Sequence, residues 1–455
     1  MRRWLGAMPG ALALAFTMGA GSAAGATPKV IPAGPLLTAG TIAYQFAVYL
    51  PEKASTPPME ALRRALKNAA GAPTLSQKLD EPPKASIVRA TLNENVATTY
   101  APPDADHIQR FGRGLSKEQA VVLGRSRTAL IMDFAHPSAR GMSAYRSSLL
   151  VAEQVARATG GLLWDEETRE VFSAEEWHRR RLDSWSGDMP DVSQQTVVHA
   201  YQDDGKLVRA ISLGMVKFGL PDVVVAQFPW SLNARMGWLL NAFAQRLGEG
   251  AAMGAQGRFE LDLRAIQHGD VRQRLLDQLS AKGSGKAALL VVAGSRERGD
   301  PENRLLSLRF DHVSGKDEGA RQDALLTGLF GSVEQPVSWI RSGDAALAAA
   351  SNAAKAKLPA LRDAFNKGLQ PGEFIQVKAP FRRPEGGVEW MWVEVVTWSG
   401  DSITGMLKNE PAGIPALHAG QQVQVSQRDL FDYFRRYPDG RFEGNETSKI
   451  IERMR

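Results

Sequence analysis

Apolar and polar positions alternate most regularly near the end of the chain. Val388 to Trp398 is rich in Val, Trp and Thr, which suit a pleated, half-buried surface. Ser399-Gly400-Asp401 breaks the run. Ile403, Gly405 and Leu407 then alternate with Ser402, Thr404 and Met406, so the two runs predict a hairpin. Gln421–Val425 and Phe374–Phe381 add a third and a fourth strand. Ahead of them, Leu347, Ala350, Ala354, Leu358, Leu361 and Phe365 recur at three- and four-residue spacing, one apolar stripe of a helix over Asp344–Leu369. Asp344 is its N-cap, Gly368 its stop, and Pro359 predicts a kink or two abutting helices.

Upstream, strand and helix patterns interleave. Thr41 to Leu50 places Ile42, Tyr44, Phe46, Val48 and Leu50 on one face of a strand. Pro57–Ala70 reads as a short helix, Ala85–Leu92 as a strand and Arg127–Ala135 as a buried strand. Ser143–Thr159 is a helix closed by Gly160-Gly161, and Leu162–Trp164 enters another strand. Ser173-Ala174-Glu175-Glu176 is a capping-box signature opening a helix that carries Trp177. Tyr100–Gly114, with Pro102-Pro103-Asp104, reads as an exposed loop, and this sheet is expected to be covered on one face.

After a linker at Ser184–Asp191, Thr196–Tyr201 and Leu207–Ser212 flank the hairpin signal Asp203-Asp204-Gly205. A strand at Asp222–Gln227 precedes an amphipathic helix with Leu232, Met236, Leu239, Leu240, Phe243 and Leu247, stopped by Gly248. A second helix is expected over Ala265–Leu279, and strands at Ala287–Ala293 and Arg304–Asp311. The fold class is therefore α+β. Two mixed α/β-sheet domains, 27–191 and 192–336, precede a helix plus a small, twisted, barrel-like antiparallel β domain at 343–455. The first two carry either separate sheets or one continuous sheet.

The last quarter of the chain resembles the YegJ-like bacterial family, domain of unknown function 2314. The matching residues are Lys357-Leu358-Pro359, Val377-Lys378-Ala379-Pro380-Phe381 and Glu389 to Val395, then Thr404-Gly405-Met406-Leu407 and Asn409-Glu410-Pro411. Leu417 to Val423, Asp439-Gly440 and Gly444-Asn445-Glu446-Thr447 complete the set. Asp432-Tyr433 stands where the family usually has Asp-Trp, so that corner is expected to differ. The resemblance implies a small β domain without known catalysis.

Composition narrows the chemistry. With no cysteine, disulfides, thiolate metal sites, a cysteine nucleophile and a lipid anchor through cysteine are excluded. Met1–Ala26 reads as a secretory signal peptide. Arg2-Arg3 form its positive end, Ala11–Met18 a short apolar core and Ala24-Gly25-Ala26 a small-residue cleavage site. Export by the general or the twin-arginine route, to the periplasm or beyond, is expected. Cleavage lowers the net charge from +6 to +4, 53 basic against 49 acidic residues, which is too mild to imply nucleic acid.

The seven histidines show no metal-ligand spacing. His136, at the end of a strand, is expected to be structural. Lys282-Gly283-Ser284-Gly285-Lys286-Ala287 lacks the Ser or Thr of a phosphate loop and joins a helix to a strand, so it reads as a polar turn. No nucleophile signature and no cofactor signature occurs. Paired acids at Asp104 with Asp106, and at Asp165-Glu166-Glu167, leave open a carboxylate-based glycan hydrolase.

Trp390, Trp392 and Trp398 share one parity. Trp392 is assigned to the core, whereas Trp390 and Trp398 are either core or a platform for a sugar or partner. With Tyr433, Arg435 and Arg436, these two form the candidate interaction surface. The reading that follows is a non-catalytic envelope protein with an unknown protein or glycan partner. An envelope hydrolase is one alternative, and an immunity or stress-response protein another.

Overall fold

The computed structural model describes residues 37–79, 82–203, 207–280, 282–331, 345–437 and 441–453. Met1–Ala26, the Asp204-Gly205 turn, Gln335-Pro336, Asp344 and Asp439-Gly440 lie outside these residues. Three sheets organise the rest, as the mixed α+β reading expects.

The first sheet has Thr41–Tyr49 near its centre. Its order is Thr74–Leu75, Ile87–Asn93, Ala129–Pro137, Thr41–Tyr49, Leu162–Asp165, Glu170–Phe172 and Gly112–Arg113. Period-two alternation sends Ile42, Tyr44, Phe46 and Val48 into the largest apolar cluster, beneath helix Gly141–Thr159. That helix ends where Gly160 turns left-handed at φ 73°. The opposite parity, Ala47 and Tyr49, joins Ile108, Leu115, Leu123, Trp164 and Val171 in a second cluster. The sheet is thus covered on both faces rather than one. The second cover comes partly from Tyr100–Gly114, which contains helix Ala105–Phe111 instead of only a loop. Asp104 starts that helix by accepting the His107 N–H at 2.8 Å.

The second sheet has the order Val197–Asp203, Leu207–Leu213, Asp222–Pro229, Leu305–Arg309, Lys286–Ala293 and Arg258–Asp262. Asp222–Pro229 runs parallel to Leu305–Arg309, and the other pairs are antiparallel. Strand Arg258–Asp262 and helix Glu318–Phe330 add to the expected elements, and helix Gly269–Leu276 is shorter than its pattern suggests. The two sheets are separate, yet they close over one apolar cluster. Phe46, Phe134, Tyr145 and Trp177 meet Met215, Phe228, Phe243 and Leu306 there. Ser184–Asp191 contains a short hairpin, Trp185–Ser186 against Met189–Pro190. Trp185 donates to the Arg181 carbonyl at 2.7 Å, and Gln245 donates to the Pro190 carbonyl at 3.2 Å. That segment is held from both sides.

Helix Ala345–Asn366 runs through Pro359 as one element, and Gly368, at φ 86°, follows it. The third sheet is fully antiparallel, in the order Gln422–Ser426, Ser402–Leu407, Val388–Ser399, Phe374–Arg382, Asp432–Arg436 and Phe442–Gly444. It stays open: the two outermost strands do not pair, so the barrel-like expectation ends short of closure. Leu358 and Leu361 of the helix pack with Ile375, Val377, Met391, Val393 and Ile403 as a separate core. No helix among the described residues is long and apolar enough to cross a membrane.

Candidate functional site

The third sheet buries one face and leaves the other aromatic. Register sets Gln376 opposite both Glu394 and Phe434, Lys378 opposite Trp392, Pro380 opposite Trp390, and Phe374 opposite Arg436. These residues have the parity opposite to the core positions Ile375, Val377 and Ala379. Phe374 and Phe434 lie 5.9 Å apart, Phe434 and Phe442 4.9 Å, and Trp390 and Phe431 4.8 Å. Such separations suit offset and tilted aromatic pairing. Cations are threaded among the rings: Lys378 Nζ stands 5.6 Å from the Trp392 ring, and the Arg436 guanidinium 6.0 Å from that of Phe374. Phe374, Trp390, Trp392, Phe434 and Phe442 belong to none of the four apolar clusters. Phe442 is 63% exposed.

A β-bulge divides the tryptophans. The pairing of Val388–Ser399 with Ser402–Leu407 slips by one residue between Val395 and Thr397, which reverses the parity beyond it. Trp398 therefore turns into the core at 3% exposure, with its indole N–H on Gln427 Oε1 at 2.9 Å. Trp392, assigned to the core by its sequence context, stands half-buried on the outer face with Trp390. Tyr433 is 2% exposed, and its hydroxyl donates to Glu443 at 2.8 Å. Asp432 beside it receives both the N–H and the hydroxyl of Thr447. Arg435 is ion-paired with Glu373 at 2.5 Å. Of the five candidate surface residues, Trp390 and Arg436 share the outer face. Trp398, Tyr433 and Arg435 have the opposite parity.

The N-terminal body approaches this face at two corners. At one, the Trp230 indole donates to the Lys408 carbonyl at 2.8 Å, with the Lys408 ammonium over its ring. At the other, the turn before Phe374 meets the edge strand Gly112–Arg113. Gly372 donates to the Gln109 carbonyl at 2.9 Å. A Cβ on Gly112 would stand 2.7 Å from the Pro371 Cβ, and one on Gly372 2.8 Å from the Gly112 oxygen, so this approach needs glycine on both sides.

That second corner is rich in arginine. Helix Ala174–Trp177 continues as a π-turn, His178–Leu182, which carries Arg179, Arg180 and Arg181 in succession. Single π-turns of this kind recur at functional sites. Arg181 points inward and binds Asp165 at 2.9 Å, Thr168 at 3.1 Å and Glu170 at 3.0 Å, all buried. Lys217 Nζ, from the second half, meets the same Asp165 oxygen at 2.5 Å. Burial pushes the Lys217 ammonium below its ordinary value, against the opposing pull of Asp165. Burial also disfavours the Glu170 carboxylate, but Arg113, Arg181 and Arg180 outweigh it and hold Glu170 at about 2. Arg179 and Arg180 stay nearer the surface, both paired with Glu176.

Other candidates are committed to structure. Glu166 accepts the Tyr100 hydroxyl and the Trp164 indole N–H, and Glu167 accepts the Gln45 N–H at 3.2 Å. Asp104 caps its helix, and Asp106 is exposed. His136 is 1% exposed inside its strand. Ser284 and Gly285 bond to the carbonyls of Gly328 and Leu329, as a turn would. An open cavity of about 490 Å³ lies beside Met142, Met189 and His268, whose ring nitrogens are already engaged with Ser184 and Val271. The sequence reading passed over Arg113, Arg179 and Arg180. The His178-Arg179-Arg180-Arg181 run directly after the Ser173-Ala174-Glu175-Glu176 signature was the signal that could have found the last two, whereas Arg113 stands alone in the sequence.

Residues 344–453 match the model of a family described as an uncharacterized protein conserved in bacteria, DUF2314. This agrees with the domain of unknown function 2314 read from the sequence, though it does not carry the YegJ-like label, and covers the third sheet and its helix. No curated protein and no solved structure matches the chain. Within the matched region, several polar motif residues pin loops. Asn409 accepts the Trp392 N–H, Glu389 those of Ala412 and Gly413, and Glu410 that of Ala419.

Proposed function

We propose that the protein is a non-catalytic binding protein exported to the cell envelope, and that it holds a glycan or protein partner on the outer face of the third sheet. The observation that carries this reading is the aromatic face itself. Five large rings, four half-buried and Phe442 exposed, lie on one side of a sheet without joining any core, which is the kind of surface a partner covers. Aromatic residues also supply large contact area at low conformational cost. The leader-like Met1–Ala26 supports export. The acids considered for hydrolysis at Asp165, Glu166 and Glu167 are engaged in hydrogen bonds, and burial, with the Asp165 charge, raises Glu167 to about 8, so turnover of an envelope polymer is the outcome the test must exclude.

The test is affinity capture from envelope extract with the full chain and with a Trp390→Ala/Trp392→Ala variant of unchanged melting temperature, alongside cell fractionation. The expected result is an envelope glycan or protein retained by the parent and lost by the variant. Equal retention by both, or turnover of an envelope polymer by the pure protein, would overturn the reading.

A further inference from the structure

Arg436 is anomalous among the charges of this face. Its guanidinium has no carboxylate and no hydrogen-bond acceptor among the described residues, and its Nε is buried without a partner. Arg435, next to it, has Glu373. Buried polar groups normally find partners, so a buried, unpartnered guanidinium nitrogen on this face calls for explanation.

The surroundings deepen the anomaly. Arg436 pairs across the sheet with Phe374, two residues after Gly372, which lies against Gly112 of the edge strand that carries Arg113. The His178–Leu182 turn with Arg179 and Arg180 adjoins that strand through Glu170 and Arg181, and Glu176 is the opposing acid. Burial pushes the Arg436 guanidinium down, and Arg180 and Arg113 add to the effect. Among the described residues, Glu176 pairs with Arg179 and Arg180, and Glu170 is shared by Arg113 with Arg181. Arg436, over the Phe374 ring, is thus left without a carboxylate of its own among the described residues.

We propose that Arg436, with Arg180 and Arg113 beside it, forms an oxyanion site that binds a carboxylate, phosphate or sulfate group of the ligand carried on the aromatic face. This rests on the binding reading and names the chemistry of its ligand. A guanidinium fork matches two oxygens of such a group, whereas an ammonium offers only a point charge. Adjacent rings would take the uncharged remainder of the ligand.

The experiment is calorimetric titration of the full chain with inorganic pyrophosphate and, separately, with polygalacturonate, with neutral dextran as the third arm. The expected result is saturable binding of at least one anion, weakened tenfold or more by Arg436→Gln and only partly recovered by Arg436→Lys. Arg428→Gln, at an 81%-exposed position paired with Asp401, should bind like the parent. Tighter binding of pyrophosphate points to a small free anion, and tighter binding of polygalacturonate to a polymer-borne one. Without ligand, Arg436→Gln should melt higher than the parent at low salt, since it relieves like-charge repulsion. The proposal fails if neither anion binds, if Arg436→Gln binds like the parent, or if Arg428→Gln loses as much. If dextran alone binds and Trp392→Ala abolishes it, the binding reading stands and the oxyanion site does not.

Discussion

His136 shows what a single side chain contributes to this molecule's behaviour. It lies in the first sheet, edge-on to Tyr44 at 5.4 Å, and its Nε2 is without a partner. Burial lowers its folded-state value to about 4, against about 6.5 in an unfolded chain. The unfolded chain therefore takes up the proton first. The stability linked to His136 is complete above pH 6.5 and is lost as pH falls from 6.5 towards 4, on the order of 3 kcal/mol in all. Urea unfolding at pH 7 and pH 4.5 should show a smaller acid loss for His136→Leu than for the parent. An identical loss in both would show that His136 does not titrate on unfolding.

At the scale of elements, the bulge at Val396 decides which tryptophans hold the third sheet together. Trp398→Ala empties a core site and should cost about 3–5 kcal/mol, whereas Trp392→Ala on the outer face should cost less than about 1.5 kcal/mol. Urea denaturation of the two variants measures the contrast, and equal losses would contradict the reversed parity. Parity alone could not have revealed this. Alternation from Val388 to Trp398 is readable as a strand, but one extra residue is invisible in a period-two pattern. Helix stops were legible for a simpler reason, because Gly160 and Gly368 adopt backbone angles that other residues resist. The arginine site was legible only in fragments. Arg113, Arg180 and Arg436 sit on three elements far apart in the chain, and nothing local announces that they meet. The buried Lys217–Asp165 contact is of the same kind, formed only when the second half closes on the first.

For the whole molecule, the distribution of apolar clusters predicts how it unfolds. The first and second sheets share one cluster, and the third sheet has its own with no residue in common. Calorimetry should resolve two transitions, one for the joined sheets and one for the third. Phe243→Ala should lower the first by about 3–5 kcal/mol and Leu361→Ala the second by about 2–5 kcal/mol, each leaving the other in place. A single transition shifted by both variants would mean that the contacts between the bodies couple them.

Those contacts also have a mechanical meaning. Main chain comes close to main chain at Gly112 and Gly372, flanked by the Gln109 amide, which donates to the Gln370 and Glu373 carbonyls. Such a point would serve as a fulcrum, with the strands of the third sheet as its lever arm and the Trp230 indole bond as a catch at the other corner. A tilt of a few degrees about it would widen or narrow the space over the rings while bending neither sheet. The thickness of whatever lies there is thus governed by two absent methyl groups.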